Sequence, residues 1–242
     1  MILRRLLPCL VAALVAIAPS LAGAASVGEV VTALEKGYAS LRDLQASFSQ
    51  RAELASVKKA QTGAGEVFIR KGGGAGAMFR FNYTKPRQEI ISNGTTVWYY
   101  LPENRQVMTM DAASLFAGGG GVALSYLTGM GEISRDFTAR FVGDGKDSRG
   151  NYVLELVPKK PGQAFQKLQL TISGKAVDEF LAGGRATMPF PIVSSVVFDQ
   201  LGNRTAIEFS RVKVNRGVKA SLFTFTVPPG VEVMQNPMGG IR

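Results

Sequence analysis

The chain has no histidine and a single cysteine, Cys9. Those two scarcities exclude much chemistry. Without histidine there is no Ser-His-Asp triad and no Cys-His nucleophile pair. Zinc and copper sites lose their usual imidazole and thiolate ligands, so neither a metal nor a cofactor is expected. Cys9 sits in an N-terminal leader, so the chain beyond it has no thiol to staple and must hold its fold by core burial. Only one long apolar run occurs, from Leu6 to Leu21. It is too short and wrongly flanked for a membrane span, which needs about 20 apolar residues.

That run has the form of a cleavable export signal. Arg4 and Arg5 supply the basic start, and Ala22-Gly23-Ala24 the small-x-small cleavage pattern. Residues 1–24 are therefore expected to be removed, leaving 25–242 as one domain working outside the cytoplasm. Pro8 directly precedes Cys9 and the apolar core mostly follows it, which argues against a lipid anchor there. The balance is basic, with 28 Lys and Arg against 18 Asp and Glu and a formal net charge of +10. Such a surface suits anionic membranes or acidic partners, or serves solubility alone. Nucleic acid is not an expected partner, since no groove-reading helix and no dense basic run is present.

Ser26-Val27-Gly28-Glu29 is a capping box. Apolar residues at Val27, Val30, Val31, Leu34, Tyr38 and Leu41 follow helical spacing, which predicts a helix over about 27–43. From Leu44 the period becomes two. Strands are predicted at 44–49, 64–70, 78–84, 87–92, 95–101, 105–110, 132–142, 152–158, 165–172, 190–199, 204–214 and 222–227. Asn93-Gly94 reads as a type I′ hairpin turn. Residues 111–131 interrupt the strands with two short helices, one capped by Asp111 and carrying Leu115 and Phe116, the other over Val122–Thr128. Segment 173–188 has a candidate helix at Val177–Leu181. Short strands with turn chemistry between them argue for a mainly β fold, an antiparallel sheet or barrel in one domain.

Chemistry-bearing motifs are weak. The glycine clusters at 72–76 and 118–121 lack the Lys-Ser/Thr that a phosphate loop requires. Asp136, Asp144, Asp147 and Glu155 are near in sequence, but nothing places two of them on one rigid surface, as glycoside hydrolysis would demand. The apolar pattern says more. Phe79, Phe81 and Tyr83 share one strand face, Trp98 and Tyr100 another, with Met108 and Met110 on the next strand. Either this is an ordinary barrel core, or the sheet is too wide for its own side chains and leaves an apolar cavity under glycine-hinged helices.

The order of motifs resembles a family. The capped helix runs into Leu41-Arg42-Asp43-Leu44-Gln45-Ala46-Ser47-Phe48, then Gly65-Glu66-Val67-Phe68-Ile69-Arg70, then Met78-Phe79-Arg80-Phe81-Asn82-Tyr83 with Pro86. Ser92-Asn93-Gly94 leads to Val97-Trp98-Tyr99-Tyr100. Phe198-Asp199 with Gly202-Asn203-Arg204-Thr205 comes later, and Phe223-Thr224-Phe225-Thr226-Val227-Pro228-Pro229-Gly230-Val231 near the end. Together these resemble the periplasmic outer-membrane lipoprotein carriers of LolA type.

The resemblance implies an unclosed antiparallel β-barrel, with an N-terminal helix and short lid helices over an apolar cavity. It implies a periplasmic chaperone, not an enzyme, and a monomer. Its partners would be triacylated lipoproteins, an inner-membrane ABC lipoprotein-releasing transporter and an outer-membrane receptor. The alternative is a periplasmic lipid- or glycolipid-binding protein, or an envelope-stress sensor, of similar shape. The expected cavity lining is Phe48, Val67, Ile69, Phe79, Phe81, Trp98, Tyr100, Met108, Leu115, Leu124 and Leu127. Val97 and Tyr99 remain the alternative parity in their strand. Phe79 is placed near the mouth as a partner contact as well. Family members carry a lid-latching arginine at the end of the strand matched by 65–71. Here Lys71 holds that position, and Arg70 is the neighbouring candidate.

Overall fold

A computed structural model describes residues 25–57, 59–72, 78–117, 132–160 and 165–235. Helix α1 spans Val27–Ala39 and starts where the capping box predicts. The Glu29 amide donates to Ser26 Oγ at 3.3 Å, and the Ser26 amide donates to Glu29 Oε2 at 2.7 Å. Its inward stripe, Val30, Val31, Leu34 and Tyr38, is buried in the main core. The helix stops at Ala39 rather than near 43. Asn215 holds the exit: its Oδ1 accepts from the Arg42 amide at 2.7 Å and its Nδ2 donates to the Ser40 carbonyl at 3.0 Å. The Asn215 amide in turn donates to the Asp43 carbonyl at 2.8 Å.

Among the described residues twelve strands form one sheet. They are β1 (Asp43–Leu54), β2 (Lys59–Arg70), β3 (Met78–Lys85), β4 (Gln88–Ser92), β5 (Thr96–Leu101), β6 (Gln106–Asp111), β7 (Phe137–Lys146), β8 (Tyr152–Pro158), β9 (Phe165–Ile172), β10 (Ile192–Asp199), β11 (Arg204–Val214) and β12 (Glu232–Gln235). Their order is β12-β6-β5-β4-β3-β2-β1-β11-β10-β9-β8-β7. Neighbours run antiparallel except β12, which lies parallel to β6. The sheet ends at β12 and β7, so the barrel is unclosed, as expected. Among the described residues three further α-helices are α2 (Ala112–Ala117), α3 (Ile133–Asp136) and α4 (Gly174–Gly183). Helix α1 lies against α4, α3 and β7 on the inner face. Asp111 caps α2 by accepting from the Ser114 amide at 3.1 Å.

Three local expectations are corrected. Residues 132–142 open on α3 rather than a strand, because Glu35 of α1 accepts the Ser134 amide at 2.8 Å and Lys159 caps the Ser134 carbonyl at 2.9 Å. At the β4–β5 turn Gly94 takes a positive φ of 97° but Asn93 does not. Asn93 Oδ1 instead accepts from the amides of Thr95 and Thr96 at 2.9 and 2.8 Å, a side-chain turn in place of type I′. Residues 222–227 are not a strand. A 3₁₀ turn, Ala220–Phe223, opens a strap over the convex face. Arginines claim its carbonyls, Arg70 Nη1 on Val218 and Arg80 Nη1 on Leu222, each at 3.1 Å. Pro228 and Pro229, which lack amide hydrogens, keep the next stretch out of a ladder.

Candidate functional site

Cross-strand partners lie on the same face of a sheet, so the register fixes which side chains meet. Ile69 lies between Leu44 and Phe79, and Val67 between Ala46 and Phe81. Phe81 is opposite Ile90, Ile90 opposite Tyr99, and Tyr99 opposite Met108. Phe79 is opposite Ser92, Ser92 opposite Val97, and Val97 opposite Met110. The inner face from β1 to β6 is thus apolar across six strands. Of the expected residues, Phe48, Val67, Ile69, Phe79, Phe81 and Met108 are brought together there. Phe48 reaches Tyr83 across Gly65, with ring centroids 4.8 Å apart and edge-to-face, because glycine leaves no side chain between them.

Trp98 and Tyr100 are corrected. Their partners Ile91, Thr109, Glu89 and Val107 belong to the convex face. Their rings lie 6.1 and 5.3 Å from Phe225 of the C-terminal strap. Together with buried Ile91, Val107 and Phe223 they form a second, smaller core outside the sheet. The alternative parity holds: Val97 and Tyr99 face inward. The side chain of Leu115 and all of Leu124 and Leu127 lie outside the described residues, as does the predicted Val122–Thr128 helix.

Phe79 is also corrected as a mouth residue. It has 0% exposure and belongs to the main core, so it offers no surface to a partner. Arg70 and Lys71, expected at the lid, are occupied elsewhere. Arg70 holds the strap through Val218, and Lys71 Nζ donates to the Tyr38 carbonyl at the end of α1. Partial burial lowers the pKa of Lys71. Inner positions that the sequence reading did not single out are Ile90 on β4 and Ile207 and Phe209 on β11. The alternation of Ile207 and Phe209 with Glu208 and Ser210 was the available signal.

One end of the inner face is polar but uncharged. Tyr83 donates to Gln50 Oε1 and Tyr99 to Gln88 Oε1, both at 2.7 Å. Burial, with Tyr99 nearby as a smaller cause, pushes the Tyr83 hydroxyl up to about 12. Both phenols stay neutral, and no charged side chain faces inward among the register positions named above. The acids considered for hydrolysis are not gathered. Glu155 lies buried against the convex side, held by Lys167 at 2.7 Å and by Arg140, while Asp147 closes a turn through the amides of Arg149 and Asn151.

The model of the family described as outer membrane lipoprotein carrier protein LolA matches residues 39–182. An outer-membrane lipoprotein carrier protein of Neisseria meningitidis serogroup B is 30% identical over 223 residues, covering 92% of each chain. The protein of that name from Pseudomonas aeruginosa is 31% identical over 246 residues, covering 96% of this chain and 99% of its own. Among solved structures, a LolA superfamily protein from Nitrosomonas europaea shares 14% identity at a TM-score of 0.41, over 84% of this chain and 99% of its own. The family match spans more than half the chain. The chain belongs to the outer-membrane lipoprotein carrier family, LolA.

Proposed function

We propose that the protein is a periplasmic chaperone that shields the acyl chains of lipoproteins between the two membranes. Residues 1–24 direct export and are removed. The mature chain takes triacylated lipoproteins from an inner-membrane releasing transporter and yields them to an outer-membrane receptor. It works as a monomer and makes or breaks no bond. The observation that carries this reading is the half-buried apolar group on the inner face of β4–β6, Ile90, Tyr99, Met108 and Met110, at the margin of the main core. Such residues lose water contact only when something apolar covers them.

The energetics fit a carrier. Transfer of an acyl chain out of water is worth ~0.8 kcal/mol per CH₂, so one long chain gains on the order of 10 kcal/mol. A face that also includes methionines adapts to chains of different shape, since the thioether side chain repacks at little cost. Release then requires only that the receptor offer a comparable apolar surface.

The test uses inner-membrane vesicles bearing the transporter and a triacylated lipoprotein. Added protein should move the lipoprotein into the soluble fraction as a one-to-one complex. Lipoprotein that stays in the membrane pellet contradicts the reading.

A further inference from the structure

At one end of the sheet the last residue of α1, the start of β1, the end of β2 and the segment after β11 surround an open cleft of about 980 Å³. Five residues around it are cationic: Arg42, Arg70, Lys71, Arg216 and Lys219. One acid, Asp43, shares the cleft, and its carboxylate is already engaged. It is buried and accepts the amides of Arg216 at 2.8 Å and Gly217 at 3.1 Å. Several cations elsewhere on the molecule are matched: Arg51 with Glu53, Arg80 with Glu89, Arg140 and Lys167 with Glu155, Lys175 with Glu179. Among the described residues, none of the five cleft cations has a carboxylate within ion-pair distance. Arg70 and Lys71 are fixed by backbone carbonyls, whereas Arg42, Arg216 and Lys219 are exposed.

We infer that this cleft binds the phosphodiester headgroups of anionic phospholipids and docks the protein on a bilayer surface. Arginine forks and lysine ammonium groups drawn from three chain segments around one cleft suit a phosphate oxyanion. A membrane rich in such headgroups presents many of them in one plane, within a Debye length of the cleft. An acidic peptide is disfavoured by the surrounding backbone. β1, β2 and β11 are each paired on both sides, so no strand edge is free there for a peptide to extend. The docking is separate from the apolar inner face and needs no cargo.

The test is sedimentation of the cargo-free mature chain with vesicles of phosphatidylcholine, alone or mixed with phosphatidylglycerol. Binding should appear only with the mixed vesicles and weaken as salt rises. The triple variant Arg42→Gln, Arg216→Gln, Lys219→Gln should bind them at least about tenfold more weakly, with its thermal melt retained. A control that removes three exposed lysines outside the cleft (Lys59→Gln, Lys85→Gln, Lys160→Gln) should stay within about twofold of the wild type if the cleft and not total charge is responsible. If the triple variant fails to fold, each single cleft variant serves, with an expected loss of about fivefold. Equal loss in cleft and control variants, no loss in the cleft variant, or no vesicle binding by the wild type overturns the inference. So does binding of inorganic phosphate without binding of vesicles. None of these results bears on acyl-chain uptake, which is measured separately on released lipoprotein.

Discussion

On β8 and β9 the inner positions Leu154, Leu156, Leu168, Leu170 and Ile172 are all at 0% exposure, whereas on β4–β6 Ser92 and Val97 are buried but the inner positions Ile90, Tyr99, Met108 and Met110 are only half-buried. Both regions come from alternating strands of one sheet, so alternation alone does not separate a core from a lining. What differs is the cover and the residue type. The first region is branched aliphatic and lies on the side of the sheet where α1 meets β7 and α4. The second adds aromatic and thioether side chains to Ile90 and is braced from behind, on the convex face, by the C-terminal strap. One half of the sheet is built to stay closed. The other keeps part of its apolar inner side accessible, which is where the proposed function places an acyl chain.

The largest effect expected is on the closed half. Leu156→Ala or Leu170→Ala should cost about 3–4 kcal/mol in urea unfolding, since each empties a fully buried site. Met108→Ala should cost less than about 1 kcal/mol and instead weaken uptake of a fluorescent acyl ligand. Equal stability losses in the two would erase the distinction.

Gly65→Ala probes the seam between Phe48 and Tyr83. A Cβ there would sit 1.9 Å from the Asn82 carbonyl oxygen, so the backbone must move. A loss of about 2 kcal/mol is expected, read as a lowered melting temperature; an unchanged melt would show that β2 and β3 are looser than the register implies.

Next comes Glu155, on the convex side of the closed half. The Lys167 hydrogen bond is the largest cause lowering its pKa from the ordinary 4.5, with Arg140 adding to it. The folded value lies below the unfolded one, so the ionised carboxylate stabilises the fold at neutral pH. That contribution is lost as pH falls below about 4.5 through the folded value. Glu155→Gln should cost about 1–2 kcal/mol at pH 7 and lose less stability than the wild type on acidification. Parallel losses in the two proteins would deny the ion trio a role. The smallest effect, about 1 kcal/mol, is expected from Ser26→Ala, which removes the cap of α1; it should lower the melting temperature without changing ligand uptake.

How much of this was legible in the sequence depended on where the deciding contact lay. The start of α1 was readable because Ser26 and Glu29 are three residues apart. Its end was not, because the residue that receives the chain, Asn215, lies 173 positions from Arg42. The inner faces of β1, β2 and β3 were readable because apolar and polar side chains alternate there. In β5 the run Val97-Trp98-Tyr99-Tyr100 carries no such contrast, and the parity was set by the Ser92–Val97 pairing across the turn. Phe223, Phe225 and Val227 alternate like a strand, yet they belong to a strap whose path is set by Arg70 and Arg80 on distant strands. Local periodicity therefore gave the elements, while side-chain anchors far away in sequence decided which face of an ambiguous element was used.

The central claim is that acyl chains occupy the inner face of β4–β6. A photo-crosslinking residue at Met108 tests it against one at the adjacent Thr109, which the register places on the convex face. After incubation with transporter-bearing vesicles and a triacylated lipoprotein, Met108 should cross-link to the lipoprotein and Thr109 should not. Cross-linking from Thr109 with none from Met108 would contradict it.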